Sequence, residues 1–369
     1  MKGFLILAPM KLNSLTLTNY KNIEAATYRF DQRINCFVGN NGVGKSNILD
    51  SIYHLCLGKS YFNPSTTQNI QFGKDFFVIE GIFSVNDREE KINCSLKIGN
   101  KKTVKRNGKI YDRVSDHIGL LPLVIISPAD RDLIVEGSST RRKFIDGVIG
   151  LTDKTYLNDL LRYNKIIAQR NALLKYFAAN HTFDSDTLEL YDEQLIALGT
   201  PIHERRKTFL ETFLPIFRKN YQSISSGNEQ VDITYASKLH EQDLRQLLIE
   251  HLAKDRASQF TTQGPHKEDL IFQIHQQPIK RFGSQGQQKS FLIALKLAQF
   301  DFLKQKSGFS PIVLLDDVFD KLDQNRVELI MQLVENNHFG QLFLSDTHKN
   351  RTLAALKTTD LDYTIFELP

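Results

Sequence analysis

The run Gly39-Asn40-Asn41-Gly42-Val43-Gly44-Lys45-Ser46 has the spacing G-x-x-x-x-G-K-[S/T], and each residue type in it has a chemical task. The glycines let the backbone curl until successive N–H groups aim at phosphate oxygens. Lys45 brings positive charge to the β and γ phosphates, and the Ser46 hydroxyl is a ligand for Mg²⁺. Far along the chain, Ile312-Val-Leu-Leu315 runs into Asp316-Asp317, a buried strand ending in an acidic pair. There Asp316 would hold the Mg²⁺ already bound by Ser46, and Asp317 would orient or deprotonate an attacking water, with Lys45 stabilising the charge that develops. A third string, Ser284-Gln285-Gly286-Gln287, opens a helix. Its hydroxyl, its glycine and the positive end of the helix dipole suit a γ-phosphate. Together the three strings imply binding and hydrolysis of a nucleoside triphosphate with Mg²⁺. No Asn-Lys-x-Asp motif follows the first loop, which argues against GTP.

These groups need a scaffold. Ile34 to Val38 reads as a strand, and Ile48, Leu49, Ile52 and Leu55 predict a helix beginning just after Ser46. Alternation from Leu12 onward predicts short strands leading into the loop. Beyond the helix, Phe76 to Val85, Lys91 to Ile98 and Thr103 to Tyr111 predict an antiparallel set, the last broken by the tight-turn pair Asn107-Gly108. Lys101, Lys102, Lys105, Arg106 and Lys109 crowd that hairpin; they either touch nucleic-acid phosphates or guard an edge strand from aggregation. Leu121 to Ser127 reads as a strand covered on both faces.

From Ser138 to Arg256 a helical period dominates. Pro201 and Pro215 are expected to begin or kink helices, and a short strand is expected at Val231 to Tyr235. Because the acidic pair lies beyond this stretch, the nucleotide fold must be split. The expected organisation is an N-terminal head part (1–127), an inserted, mainly helical arm (128–260) and a C-terminal head part (261–369). The fold class is α/β.

The bulk composition sets milder limits. A chain of 369 residues, 41% hydrophobic, supports one large or two ordinary domains. A net charge of +5 leans toward a polyanionic partner, and an ordinary solvated surface explains it equally well. Cys36, Cys56 and Cys94 lack metal-binding spacing and read as buried thiols in a reducing compartment. The apolar run Phe4 to Ala8 is short for a signal peptide, and Met10 is an alternative start. No apolar run reaches the roughly 18 to 20 residues of a membrane span, so a cytoplasmic protein with no membrane partner is expected.

Several further stretches carry a family likeness: Leu17-Thr-Asn-Tyr20-Lys-Asn22, Gly39 to Ile52, Ser127-Pro-Ala-Asp130, Arg141-Arg142-Lys-Phe-Ile-Asp146, Gln169-Arg170-Asn171, Gly264-Pro265-His266-Lys267-Glu268-Asp269-Leu270, Ser284 to Lys289, and Leu314-Leu-Asp-Asp-Val318 with Leu322-Asp323. In pattern and order the chain resembles the RecF family of bacterial recombinational repair proteins, relatives of the ATPase heads of SMC-type and ABC proteins. It departs from the pattern at Lys267-Glu268, where Arg-Asp is more usual, at Lys21, where Arg is common, and at Phe62, where Arg often stands. No nucleotide or DNA contact is therefore carried over to Phe62. Asp317 stands where ABC proteins have Glu, which fits slow hydrolysis and a switch rather than a motor.

The resemblance implies a P-loop head of the ABC/SMC type that dimerises around ATP, with Lys45, Ser46 and Asp316 of one subunit facing Ser284, Gly286 and Gln287 of the other. It also puts Lys21 and Asn22 near the nucleotide or interface, Asp130 in the role of a Mg²⁺-sensing Gln, Asp323 at the dimer interface, and His348, or Thr347, at the switch. His266 is expected to cap or pack. The implied function is ATP-dependent binding of double-stranded and gapped or single-stranded DNA, with hydrolysis as release, and help in loading recombinase with RecR-like and RecO-like partners. Two other functions share the motifs. An ABC transporter subunit would normally have an uninterrupted head and a Leu-Ser-Gly-Gly-Gln loop, and a scaffold would bind ATP for structure only.

Overall fold

The computed structural model describes residues 10–63, 65–225, 229–317, 339–357 and 361–369. The chain forms two compact units, residues 1–130 with 292–369, and residues 131–291.

In the first unit, β1 (Met10–Tyr20), β2 (Ile23–Arg29) and β3 (Ile34–Val38) lead to the helix Lys45–Leu57. Then come β4 (Phe76–Val85), β5 (Arg88–Lys97), β6 (Thr103–Arg106), β7 (Lys109–Ile110) and β8 (Leu123–Ile126). Strict alternation of buried and open positions along β4 marks a sheet with one face in the core. An antiparallel sheet results, in the order β2-β1-β4-β5-β6-β7. Asn107 and Gly108 both take positive φ, 50° and 81°, which the two-residue turn between β6 and β7 requires. β3 and β8 are buried along their whole length, as strands covered on both faces are; β8 is apolar throughout, and β3 is apolar except for Asn35, whose Nδ2 donates to the Gln32 carbonyl at 3.0 Å.

The second unit contains the helices Ser138–Thr152, Lys154–Asn180 and Ser185–Ile224. Asp153 caps one by accepting from the Tyr156 N–H, and Asp184 caps another by accepting from the Asp186 and Thr187 N–H groups. Neither Pro201 nor Pro215 begins a helix. Both lie inside the 40-residue helix Ser185–Ile224. A proline there costs about 3 kcal/mol, which this helix offsets by burying Leu195, Leu198, Ile202, Phe209, Phe213 and Phe217 at about 1.5 to 3 kcal/mol each. β9 (Val231–Ala236), β10 (Asp269–Ile274) and β11 (Gln277–Pro278) form a small antiparallel sheet, ordered β11-β10-β9. The pairing of β10 with β9 explains why residues 261–291, grouped with the head from sequence, cluster with the arm instead.

Arg206, 2% exposed, anchors this unit. It pairs with Asp146 at 2.7 Å and Glu268 at 2.6 Å. Glu268 also accepts from Ser237 at 2.7 Å and from Tyr235, and meets His203 at 2.7 Å. Burial alone would raise the Glu268 carboxyl. The hydrogen bonds and the Arg206 charge outweigh burial and hold it below its ordinary value. Lys267-Glu268, where the family pattern has Arg-Asp, thus places its acid at a charged interior hub.

The chain returns to the first unit through the helix Gln285–Ser307, β12 (Ile312–Leu315), β13 (Leu342–Asp346), the helix Lys349–Leu356 and β14 (Tyr363–Glu367). These strands complete a parallel sheet in the order β14-β3-β13-β12-β8. Its core contains Ile48, Leu49, Ile52 and Leu55 of the Lys45–Leu57 helix together with Leu12, Leu15, Phe77 and Ile79 of the antiparallel sheet.

Candidate nucleotide site

The parallel sheet gathers the distant motifs at its carboxyl edge, where open α/β sheets place ligands. β3 delivers Gly39, β12 delivers Asp316, β13 ends on Asp346, and β8 leads through Ser127 to Asp130. The edge is tied across its strands: Gly39 N–H donates to the Asp346 carbonyl at 3.3 Å, and Asp316 N–H to the Ile126 carbonyl at 2.9 Å.

Gly44, at φ 107°, starts the Lys45–Leu57 helix, and among the described residues no side chain caps that terminus. The first helical N–H groups therefore point out of the helix with no intrahelical acceptor, an arrangement suited to an anion. Lys45 is 4% exposed, and its Nζ is held by the Gly39 and Asn40 carbonyls at 2.8 and 2.9 Å. Its ammonium lies within the curl of the loop, where a phosphate would replace those carbonyl contacts.

Asp316 is buried, and burial raises its carboxyl pKa. Hydrogen bonding from Ser46 and Ser345 draws it back down, while Asp317 pushes it up and Lys45 lowers it. A buried carboxylate held against a hydroxyl is suited to a hard divalent cation, so Ser46 and Asp316 fit Mg²⁺. The Ser345 hydroxyl donates to Asp316 at 2.8 Å and accepts from Asp317 N–H at 2.9 Å. Asp317 takes φ 44°, a left-handed conformation that among non-glycine residues is found mostly in asparagine, aspartate and histidine.

Asn22 braces the loop. Its Nδ2 donates to the Gly42 carbonyl at 2.9 Å, and its Oδ1 accepts from Asn47 at 2.8 Å. Lys21 turns to the interior instead, pairing with Asp50 at 2.6 Å. Asp50 also accepts from Tyr20, Ser60 and the Tyr61 N–H. Sequence reasoning missed this hub. The available signal was an acid flanked by Leu49 and Ile52 on a helix face that packs into the core.

Asp130 is enclosed by Lys296 at 2.6 Å, the Tyr61 hydroxyl at 2.7 Å and the Ser127 N–H at 2.8 Å. This set ties the end of β8 to the helix Gln285–Ser307. Asp346 accepts from Thr352 at 2.7 Å and pairs with Arg351. His348 is exposed and directly precedes the helix Lys349–Leu356. Asp323, with Val318 and Leu322, lies outside the described residues.

In the second unit, Ser284 and Gln287 make a reciprocal cap. Gln287 N–H donates to Ser284 Oγ at 3.2 Å, and Ser284 N–H donates to Gln287 Oε1 at 2.7 Å. Ser284 and Gln285 are exposed, and Gly286 is half-buried. On the basic hairpin, Arg106 forms a bidentate pair with Glu90 at 2.8 and 2.6 Å, and Lys102 donates to the Gly58 carbonyl. Lys101 and Lys109 are exposed and Lys105 is half-buried.

The RecF/RecN/SMC N terminal domain model matches residues 11–363. The chain is 61% identical to the DNA replication and repair protein RecF of Flavobacterium johnsoniae, covering 97% of this chain and all of that one. It belongs to the RecF family. The RecF of Phocaeicola vulgatus is 45% identical over 97% of this chain and 96% of its own length. Among solved structures, the recombination mediator RecF-ATPrS of the RecFOR pathway superposes with a TM-score of 0.88 at 31% identity, covering 98% of this chain and 96% of that one. A Pyrococcus furiosus Smc head shares the fold, with a TM-score of 0.55 at 16% identity over 98% of this chain and 94% of that one. The RecF-family chain thus has the ATPase-head fold of SMC-type proteins, and among the described residues no helix is long and apolar enough to cross a membrane.

Proposed function

We propose that this RecF-family protein is an ATP-dependent DNA-binding protein of recombinational repair. Lys45 and the N–H groups of the Gly39–Ser46 loop bind the phosphates, while Ser46 and Asp316 hold Mg²⁺, which would neutralise phosphate charge when bound. Asp317 orients the attacking water. The Ser284 loop of a second copy completes the site, so that ATP joins two copies and hydrolysis releases them. DNA, double-stranded and gapped or single-stranded, binds to the assembled form, and RecR-like and RecO-like proteins act with it in loading recombinase.

The observation that carries this reading is the uncapped helix terminus at Lys45 beside a buried Asp316 held by Ser46. An empty-handed structural loop has no use for a buried acid at that point. The names of the solved relatives, RecF bound to ATP or ATPrS in the RecFOR pathway, support the choice of nucleotide and pathway. Light scattering with ATP, ADP or neither, each with and without gapped DNA, tests it. A dimer that forms with ATP, dissociates with ADP and binds DNA more tightly is the expected result; mass and DNA affinity that ignore the nucleotide would reject it.

A further inference from the structure

The cap between Ser284 and Gln287 uses only one end of the Gln287 carboxamide. The other end, Nε2, donates to Glu229 Oε1 at 2.8 Å. Glu229 in turn accepts from the Tyr221 hydroxyl. Tyr221 is fully buried in the last turns of the 40-residue helix Ser185–Ile224 and stands edge-on to Phe291 at 6.4 Å. Phe291 belongs to the same helix as Gln287, one turn further on. A continuous set of contacts therefore runs from the arm helix through Tyr221 and Glu229 to Gln287 and ends at the backbone and hydroxyl of Ser284.

Both ends of the Gln287 side chain are thereby committed inside the protein. Its oxygen holds the Ser284 N–H, and its nitrogen is turned to a carboxylate. The residues of the loop left open to solvent are Ser284 and Gln285. We propose that Glu229 is a positioning residue for the Ser284 loop, fixing Gln287 as its brace, so that Ser284 and the neighbouring N–H groups, rather than the Gln287 amide, meet the γ-phosphate of the second copy. This rests on the trans reading of that loop given above. Without Glu229 the carboxamide can rotate, the reciprocal cap opens, and the loop no longer holds its donors in one arrangement. The same contacts connect the arm to the loop, so a partner that shifts the end of the arm helix changes how well ATP joins two copies.

The test compares Glu229→Ala, Glu229→Gln, Tyr221→Phe and Ser284→Arg in the full chain. Three measurements are made: ATP affinity of the protomer by calorimetry at low protein concentration, the dimer dissociation constant with ATP by sedimentation, and hydrogen exchange at residues 284–288 without nucleotide. Ser284→Arg abolishes ATP-driven association. Glu229→Ala weakens it about tenfold, leaves protomer ATP affinity within twofold of the parent, and speeds exchange at 284–288. Glu229→Gln keeps an acceptor for Gln287 and restores association to within about threefold, and Tyr221→Phe weakens association in the same direction by less than Glu229→Ala. If Glu229→Ala leaves both exchange and association unchanged while Ser284→Arg blocks association, Glu229 has no positioning role and the trans reading stands. If Ser284→Arg has no effect either, both fall. Should Glu229→Ala fail to fold, Tyr221→Phe and Glu229→Gln still decide: equal, large losses in both overturn the proposal, because the second preserves the brace.

Discussion

The Asn22 Nδ2 and the Gly42 carbonyl, 20 positions apart, meet at 2.9 Å, and the Asn22 Oδ1 accepts from Asn47 at 2.8 Å. One side chain thus ties the turn after β1 to both the loop and the first turn of the helix that follows. The site is tight: a Cβ on Gly44 would lie 2.9 Å from Asn22 Oδ1. Asn22→Ala removes these bonds without adding bulk. A net loss of about 1 kcal/mol weakens ATP binding about fivefold, measurable by calorimetry, with the turnover of bound ATP close to unchanged. Gly44→Ala, strained at φ 107° and crowding Asn22, lowers ATP affinity further.

Asp317 follows Asp316, the acid proposed to hold Mg²⁺, and its N–H is fixed by Ser345 at 2.9 Å. Asp317→Asn keeps size and shape and removes the proposed proton acceptor. Hydrolysis then falls about a hundredfold, the lower end for loss of a general base, while ATP binding persists. In light scattering the ATP-joined dimer outlives that of the parent protein. Asp316→Asn weakens Mg²⁺-dependent ATP binding instead, so the two neighbouring substitutions separate binding from turnover.

The contrast between Lys45 and Asp50 shows what a sequence can and cannot reveal. Lys45 is legible because its partners are its own loop, within six positions; the parallel strands Ile34–Val38 and Ile312–Leu315 are legible because burial on both faces leaves runs that are apolar throughout in the second and at every position but Asn35 in the first. Asp50 joins Tyr20, Lys21, Ser60 and Tyr61, and Glu268 joins His203, Arg206, Tyr235 and Ser237. Such hubs depend on tertiary contacts that no local period encodes. The prolines of the Ser185–Ile224 helix misdirect for the same reason, since a buried apolar face outweighs their local cost. The end of the arm was obscure because β9 and β10, which close it, are separated by more than 30 residues.

The basic residues of the hairpin separate into two groups. Arg106 is bound to Glu90, which Asn107 also contacts at 2.8 Å, so Arg106→Ala acts on the fold. It leaves a carboxylate of 9% side-chain exposure without its cation and lowers thermal stability. Lys101, Lys105 and Lys109 are the DNA candidates. If they contact phosphates, replacing all three with Ala reduces the slope of log affinity against log salt by about 2 to 3 for duplex DNA, with unchanged melting temperature. A salt slope equal to the parent's assigns them to edge protection instead.

Acid stability carries a signature from two histidines, one in each unit: His54 is buried and His266 half-buried. His266 lies between the Tyr163 hydroxyl at 2.8 Å and the Thr261 carbonyl at 3.0 Å. Burial, aided by the Lys267 and Arg142 charges, lowers its pKa to about 4. Burial with the Lys102 and Lys21 charges lowers that of His54 to about 3. Because both folded values lie below the ordinary one, the unfolded chain takes up these protons first as pH falls. Stability is therefore full above about pH 6.5 and declines below it, approaching about 1.4 kcal/mol per pH unit for each histidine until the folded group itself titrates. Glu268 adds in the same direction, since its lowered folded pKa stabilises above the ordinary carboxyl range and is lost as pH drops through the folded value. Urea unfolding from pH 8 to 4.5 measures the slope. His266→Asn removes one titrating group, so between pH 6 and 4.5 its curve is shallower than the parent's by about one proton, even though the variant is less stable at pH 8.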